Sequence, residues 1–179
     1  GSYGNVAVIG GAHGMRGAPL LAARAALHSG AGRVYALFVD EPLACDFGQP
    51  ELMCRAADDF DLDTATLVIG PGLGASSAAA ALLARAIASD SALLADADAL
   101  NLIAATPALQ AALAERKLSA LLTPHPLEAA RLLNRSVGEV QADRVGAARE
   151  LAASLNAVVV LKGSGTVIAA PTGGVVINT

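Results

Sequence analysis

Short apolar runs alternate with helix-forming stretches along almost the whole chain. Nearly every run ends on glycine, proline, threonine or a charged residue. Val6 to Ile9 ends at Gly10-Gly11, and Pro19 to His28 then has helical spacing, with Gly30 and Gly32 where a helix stops. Arg33 to Val39 is strand-like. Leu67 to Gly70 runs into Pro71-Gly72-Leu73-Gly74. An alanine-rich helix is expected over Ser76 to Ala88, with Ser76 or Ser77 as N-cap. Leu93 to Ala95 reads as a strand, followed by helices over Asp98 to Ala105 and Pro107 to Ala114. Leu121 and Leu122 form a strand ending at Thr123-Pro124, and Leu127 to Leu133 a helix. Ser136 and Glu139 have capping-box spacing, and Ala142 to Leu155 reads as a helix. Ala157 to Leu161 is a strand, and Val167 to Ala169 and Val175 to Ile177 flank a hairpin turn at Pro171 to Gly174. Such alternation requires an α/β fold with a mainly parallel sheet, helices on both faces and a late β-hairpin. At 179 residues the reading is one domain, residues 1–179.

A mean hydropathy of +0.53 invites a membrane reading. The charge-free stretch Thr64 to Ala84 contains Gly70, Pro71, Gly72 and Gly74, which would break a spanning helix at its middle. Strands of a parallel sheet, buried on both faces, account for the apolar runs instead. The net charge of −4 gives no electrostatic reason to bind nucleic acid or anionic membranes. Cys45 and Cys54 lack metal-ligand spacing and read as reduced thiols of a cytoplasmic protein. No basic-then-apolar leader pattern opens the sequence.

Ligands of open parallel sheets bind beyond the carboxyl ends of the strands. Five polar or glycine-rich clusters occupy such positions: Gly10 to Gly17, Gly70 to Gly74, Asp96 to Asn101, Thr123 to Glu128, and Lys162 to Thr166. They are expected to converge on one sheet edge. In Lys162-Gly163-Ser164-Gly165-Thr166, small residues let backbone N–H groups approach an anion, and the lysine and threonine add a charge and a hydroxyl. The segment matches no P-loop, and a plain turn with a solvated lysine is the alternative. His125 lies between Pro124 and Pro126, which fix the backbone around it; a satisfied histidine at a helix start is the alternative. Asp96 and Asp98 could orient a metal through water, bond ligand hydroxyls or cap a helix; Asp98 is read as the cap and Asp96 as the functional residue. His13 lies in a flexible glycine-rich loop and His28 at a helix end. No protein-held metal site is expected.

Taken in order, Gly17-Ala18-Pro19, Pro50-Glu51-Leu52-Met53, Gly70-Pro71-Gly72-Leu73-Gly74, Asp96-Ala97-Asp98-Ala99-Leu100-Asn101, Thr123-Pro124-His125-Pro126 with Glu128, Leu161-Lys162-Gly163 with Gly165-Thr166, and Ile177-Asn178 resemble the ADP/ATP-dependent NAD(P)H-hydrate dehydratases. The resemblance runs from Gly4 to Thr179. It implies a three-layer ribokinase-like fold and a hydro-lyase acting on the S form of hydrated NADH or NADPH. In such enzymes ADP or ATP phosphorylates the nicotinamide hydroxyl, and phosphate then leaves. The resemblance further implies Mg2+ with the nucleotide and a homo-oligomer. It assigns Lys162, Gly163, Ser164, Gly165 and Thr166 to the nucleotide. Ala18, Gly72, Gly74, His125, Asp96 and Asn101 are read as substrate-binding.

Three departures bear on these expectations. Leu127 stands where the family usually has glycine. The loop Gly11 to Arg16 lacks the usual serine. The Gly-x-Gly-Asp turn that carries the family's catalytic aspartate does not occur up to Thr179, so that residue is expected beyond it and residues 1–179 alone are expected to be inactive. Two other readings remain: a vitamin-type kinase of the same fold, and a non-catalytic nucleotide-binding module.

Overall fold

In the computed structural model, residues 3–118 and 120–178 are described; Thr179, where the resemblance ends, lies outside them. The chain divides into two compact units, Gly1–Leu93 and Leu94–Thr179.

The first unit contains strands β1 (Asn5–Gly10), β2 (Arg33–Phe38), β3 (Met53–Ala56) and β4 (Thr66–Ile69). Their spatial order is β3-β2-β1-β4, and the pairings are parallel. Ala7, Val8 and Ile9 are fully buried, as an unbroken apolar run in a doubly covered strand requires. Helix α1 (Gly17–His28) starts two residues before the expected Pro19. Proline fits within a first turn, whose N–H groups have no partner inside the helix. Leu20 and Leu27 of α1 pack on the core built from Val8, Val34, Ala36 and Phe38. A single 3-10 turn, Leu62–Thr64, precedes β4. Helix α2 (Ser77–Ala88) is capped by Ser76, whose hydroxyl accepts the Ala79 N–H at 3.1 Å. Strand β3 was not anticipated: Met-Cys-Arg-Ala is short, carries a charge and lies at an edge of the order, so no periodicity marks it.

The second unit contains β5 (Leu93–Ala95, its first residue at the boundary), β6 (Ala120–Leu122), β7 (Ala157–Leu161), β8 (Thr166–Ala169) and β9 (Val175–Asn178). The order is β5-β6-β7-β8-β9; β5 to β7 pair in parallel, while β8 and β9 are antiparallel. The hairpin closes through Gly173, at φ +93°, whose N–H donates to the Ala170 carbonyl. Helices α3 (Asp98–Ala105) and α4 (Pro107–Ala114) meet at Thr106, with Pro107 at N1. Helix α5 (Pro126–Leu133) ends at Asn134 in the left-handed region. Helix α6 (Val137–Ala142) starts with the Ser136–Glu139 capping box. Helix α7 (Arg144–Ser154) begins later than expected because Asp143 leaves the helical region and caps it, accepting the Gly146 N–H at 2.8 Å.

Candidate functional site

In the first unit, the turn after β1 and the turn after β4 are built against each other by backbone. The Ala12 N–H donates to the Gly72 carbonyl at 2.7 Å. Gly72, at φ +62°, lies where a Cβ would come within 2.7 Å of the Met15 carbonyl and 3.1 Å of the Ala18 Cβ. Gly74, at φ +74°, packs on Ala12, and a side chain on Gly10 would collide with the Pro71 carbonyl. Ala18, Gly72 and Gly74 therefore belong to one close-approach surface with no charged group among them. The His13 loop is pinned: the His13 N–H donates to Asp40 Oδ2 at 2.7 Å. That anchor spans 27 positions and had no local signal beyond the glycines around His13.

In the second unit, the strand-end loops converge on Lys162. Its Nζ lies 2.7 Å from Asp96 Oδ1 and 3.9 Å from Glu128 Oε2. Its backbone N–H donates to the Pro124 carbonyl at 2.9 Å, tying the loop after β7 to the loop after β6. Asp96 thus fixes the direction of the ammonium, while the lysine side chain stays 42% exposed.

His125 is the N-cap of α5. Its Nδ1 accepts the Leu127 N–H at 3.1 Å and the Glu128 N–H at 3.3 Å, while Glu128 Oε2 accepts the His125 N–H at 2.7 Å. This is a capping box with histidine in the place usually held by serine or threonine. The other ring nitrogen, Nε2, lies 3.3 Å from Glu128 Oε1. Glu128 is only 4% exposed. Its place in the motif was visible in the sequence, but its role as the joint between His125 and Lys162 was not.

The expected cap role of Asp98 is corrected. Ala97 occupies the N-cap position of α3 at φ +49°, an uncommon conformation for alanine, and Asp98 lies in the first turn, favourable at a helix N-terminus. Asn101 Oδ1 accepts from Arg131 at 2.6 Å, beside a pocket of about 280 Å³ lined also by Ala104, Ala105 and Asn134. Among the described residues, no group of three or more His, Cys, Asp or Glu side chains is arranged to hold a metal ion. No helix among them is long and apolar enough to cross a membrane.

The segment after β7 is a tight loop, with Gly163 at φ +151° and Gly165 at φ +65°. Thr166 Oγ1 donates to the Gly163 carbonyl at 3.0 Å. Arg144, which sequence reasoning missed, donates to the Leu161 carbonyl at 3.1 Å and to the Ser164 carbonyl at 2.5 Å. A sequence model of the family described as NAD(P)H-hydrate dehydratase matches residues 6–179.

The chain belongs to the NAD(P)H-hydrate dehydratase family.

Within that family, the chain is 44% identical over 184 residues to the ADP-dependent (S)-NAD(P)H-hydrate dehydratase of Neisseria meningitidis serogroup B, covering 99% of this chain and 62% of the relative. The ADP/ATP-dependent NAD(P)H-hydrate dehydratase of Bacillus subtilis, co-crystallised with ATP/Mg2+, superposes with a TM-score of 0.74 at 30% identity, covering 99% of this chain and 64% of that one. A ribokinase-like superfamily protein of Enterococcus faecalis superposes with a TM-score of 0.79 at 24% identity, covering 99% and 63%. This likeness establishes the ribokinase-like α/β fold alone. The chain spans less than two thirds of the length of these relatives.

Proposed function

We propose that this chain serves as the dehydratase domain of nicotinamide-nucleotide repair, removing water from (S)-NADH-hydrate or (S)-NADPH-hydrate with ADP or ATP as co-substrate. The Neisseria relative is named for the ADP-dependent reaction and the Bacillus enzyme for both nucleotides. The observation that carries the reading is Lys162, held at a strand end between Asp96 and Glu128 and leading into a loop with two positive-φ glycines. A cation followed by close-approach backbone is suited to a diphosphate or triphosphate. In the second unit, Lys162, Gly163, Ser164, Gly165 and Thr166 are assigned to the nucleotide, and Asp96, His125 and Asn101 to ligand hydroxyls and amides. The first unit, taken by itself, offers Ala18, Gly72 and Gly74 as a small-residue surface for the hydrated dinucleotide. Mg2+ belongs to the proposal as a companion of the nucleotide phosphates, which would share its coordination with water. A cytoplasmic setting and a homo-oligomer complete it.

The test assays the complete gene product with hydrated NADH and ADP, then ATP, following recovery of the dihydronicotinamide absorbance. Nucleotide-dependent recovery by the complete gene product is the expected result. Phosphorylation of a vitamin alcohol with no action on hydrated NADH would move the assignment to a kinase. Nucleotide binding with neither reaction would move it to a binding module.

A further inference from the structure

Arg144 stands where a cation is electrostatically misplaced. It is the first residue of α7, at the positive end of the helix dipole. Its Nε is buried with no hydrogen-bond partner among the described residues. Both costs need an offsetting role, and the contacts supply one. The guanidinium forks onto two carbonyls of one loop, those of Leu161 and Ser164. Gly163 leaves room for it: a Cβ there would lie 2.7 Å from Arg144 Nη2.

The consequence for the loop follows from peptide geometry. No described peptide bond is cis, so each N–H points opposite to the carbonyl of the residue before it. With the Ser164 carbonyl turned onto the guanidinium, the Gly165 N–H is directed to the other side. With the Gly163 carbonyl turned onto Thr166 Oγ1, the direction of the Ser164 N–H is fixed in the same way. Consecutive N–H groups held in this manner, with a left-handed glycine at position 165, make an anion-binding concavity.

We infer that Arg144 is a positioning residue for the nucleotide: it does not touch the phosphates but holds the Leu161 and Ser164 carbonyls back, so that the Gly165 N–H faces the phosphates beside the Ser164 N–H, whose direction Thr166 sets. The inference rests on the nucleotide reading of Lys162 to Thr166 given above. A lysine at position 144 has no planar fork and cannot serve both carbonyls in one geometry.

The experiment compares, in the complete gene product, wild type, Arg144→Ala, Arg144→Lys, Gly163→Ala and the Arg144→Ala/Gly163→Ala double variant. The readouts are ADP and ATP affinity by calorimetry, KM for each substrate, and amide hydrogen exchange without nucleotide. Arg144→Ala is expected to weaken nucleotide binding and raise nucleotide KM by about 10- to 100-fold, as a displaced binding element does, with the KM for hydrated NADH unchanged. Arg144→Lys should recover part of that loss. Exchange should rise within residues 162–166 and stay unchanged in β7. Gly163→Ala displaces the same guanidinium, so the double variant should lose little more than the worse single one. Unchanged nucleotide affinity in Arg144→Ala, equal KM changes for both substrates, or additive losses in the double variant would each overturn the positioning role while leaving the nucleotide reading intact. A wild-type protein that binds neither ADP nor ATP would overturn both together.

Discussion

The two units solve the same problem, shaping a loop at a strand end, with different materials. In the first unit the shape is made by absence. Gly10 and Gly72 admit neighbouring backbone where a side chain would collide, and Gly74 packs closely on the Ala12 side chain. In the second unit it is made by charge, with Asp96, Glu128 and Lys162 in one cluster and Arg144 forked onto carbonyls. Each unit also buries one carboxylate among the described residues, Asp46 in the first and Glu128 in the second. Damage to the first unit's loops should therefore be steric and abrupt. Damage to the second's should be graded and recoverable by polar replacements.

The largest effect expected is at Gly72. An alanine there must adopt φ +62° and push the Met15 carbonyl, which is backbone and yields poorly. Gly72→Ala is expected to lower stability by about 2–5 kcal/mol, the left-handed cost plus the overpacking cost. Gly14 is the internal control: it has φ +79°, but nothing lies within 4 Å of its Cβ position. Gly14→Ala should cost only about 1–2 kcal/mol. Denaturant titration of both variants measures the difference, and equal losses would mean that close approach is not what the glycine turn provides.

Glu128 tests the other half of the contrast. Glu128→Ala removes the acceptor of the His125 N–H and leaves that end of α5 unsatisfied, an expected loss of about 1–3 kcal/mol. Glu128→Gln keeps an acceptor of the same shape and should recover about half of the loss or more. Equal losses in the two variants would shift the weight from the cap to the negative charge beside Lys162.

The contrast also explains what could be read from the sequence. The alternation of runs and the hairpin turn were legible because burial imposes apolar strands and turns require particular residues. The glycine turn was legible because Gly70-Pro71-Gly72-Leu73-Gly74 announces its own conformation. Strand β3 was not, because an edge strand with half-buried positions needs no pattern. Lys162 and Asp96 could each be singled out, yet their pairing spans 66 positions in sequence and depends on β5 and β7 flanking β6. His125 was legible as a constrained residue and, in the alternative reading, as a satisfied histidine at a helix start, which is the place it takes as the N-cap of α5. Arg144 left a signal that was overlooked: a cation at the start of a helix opposes the dipole, and that mismatch asks for a reason.

Asp46 sharpens the comparison of the two buried carboxylates by pH. Arg24 donates to it twice, at 2.7 and 2.6 Å, and the Gly48 N–H donates at 3.1 Å. The side-chain hydrogen bonds from Arg24 hold its carboxyl below the ordinary carboxylate range, against the opposing effect of burial and with help from the Gly48 N–H. A depressed carboxyl contributes stability that is fully present above the unfolded value, about 3.9, and is lost as pH falls through the lower folded value. Wild type should therefore lose stability more steeply than Asp46→Asn in that acid window, by denaturant midpoints taken at successive pH values. Parallel curves would remove Asp46 as the pin of the loop after β2.

The smallest effect is expected at the exposed cap of α6, where charge shapes the second unit without burial. Ser136 Oγ accepts the Glu139 N–H at 3.3 Å, and Glu139 Oε2 accepts from the Ser136 hydroxyl at 2.6 Å and its N–H at 2.8 Å. Ser136→Ala should cost about 1 kcal/mol, the usual loss for an N-cap hydroxyl. Part of that loss must depend on pH. The Glu139 carboxyl is held below its ordinary value first by the Ser136 hydroxyl and then by the Ser136 N–H. Its contribution is therefore complete above about 4.3 and disappears as pH falls through the lower folded value. The variant keeps the N–H contact but not the hydroxyl one, so the gap between wild type and Ser136→Ala should narrow on acidification. A gap that stays constant from neutral pH through that window would assign the whole effect to the hydroxyl as acceptor. The charge on Glu139 would then have no part in starting the helix.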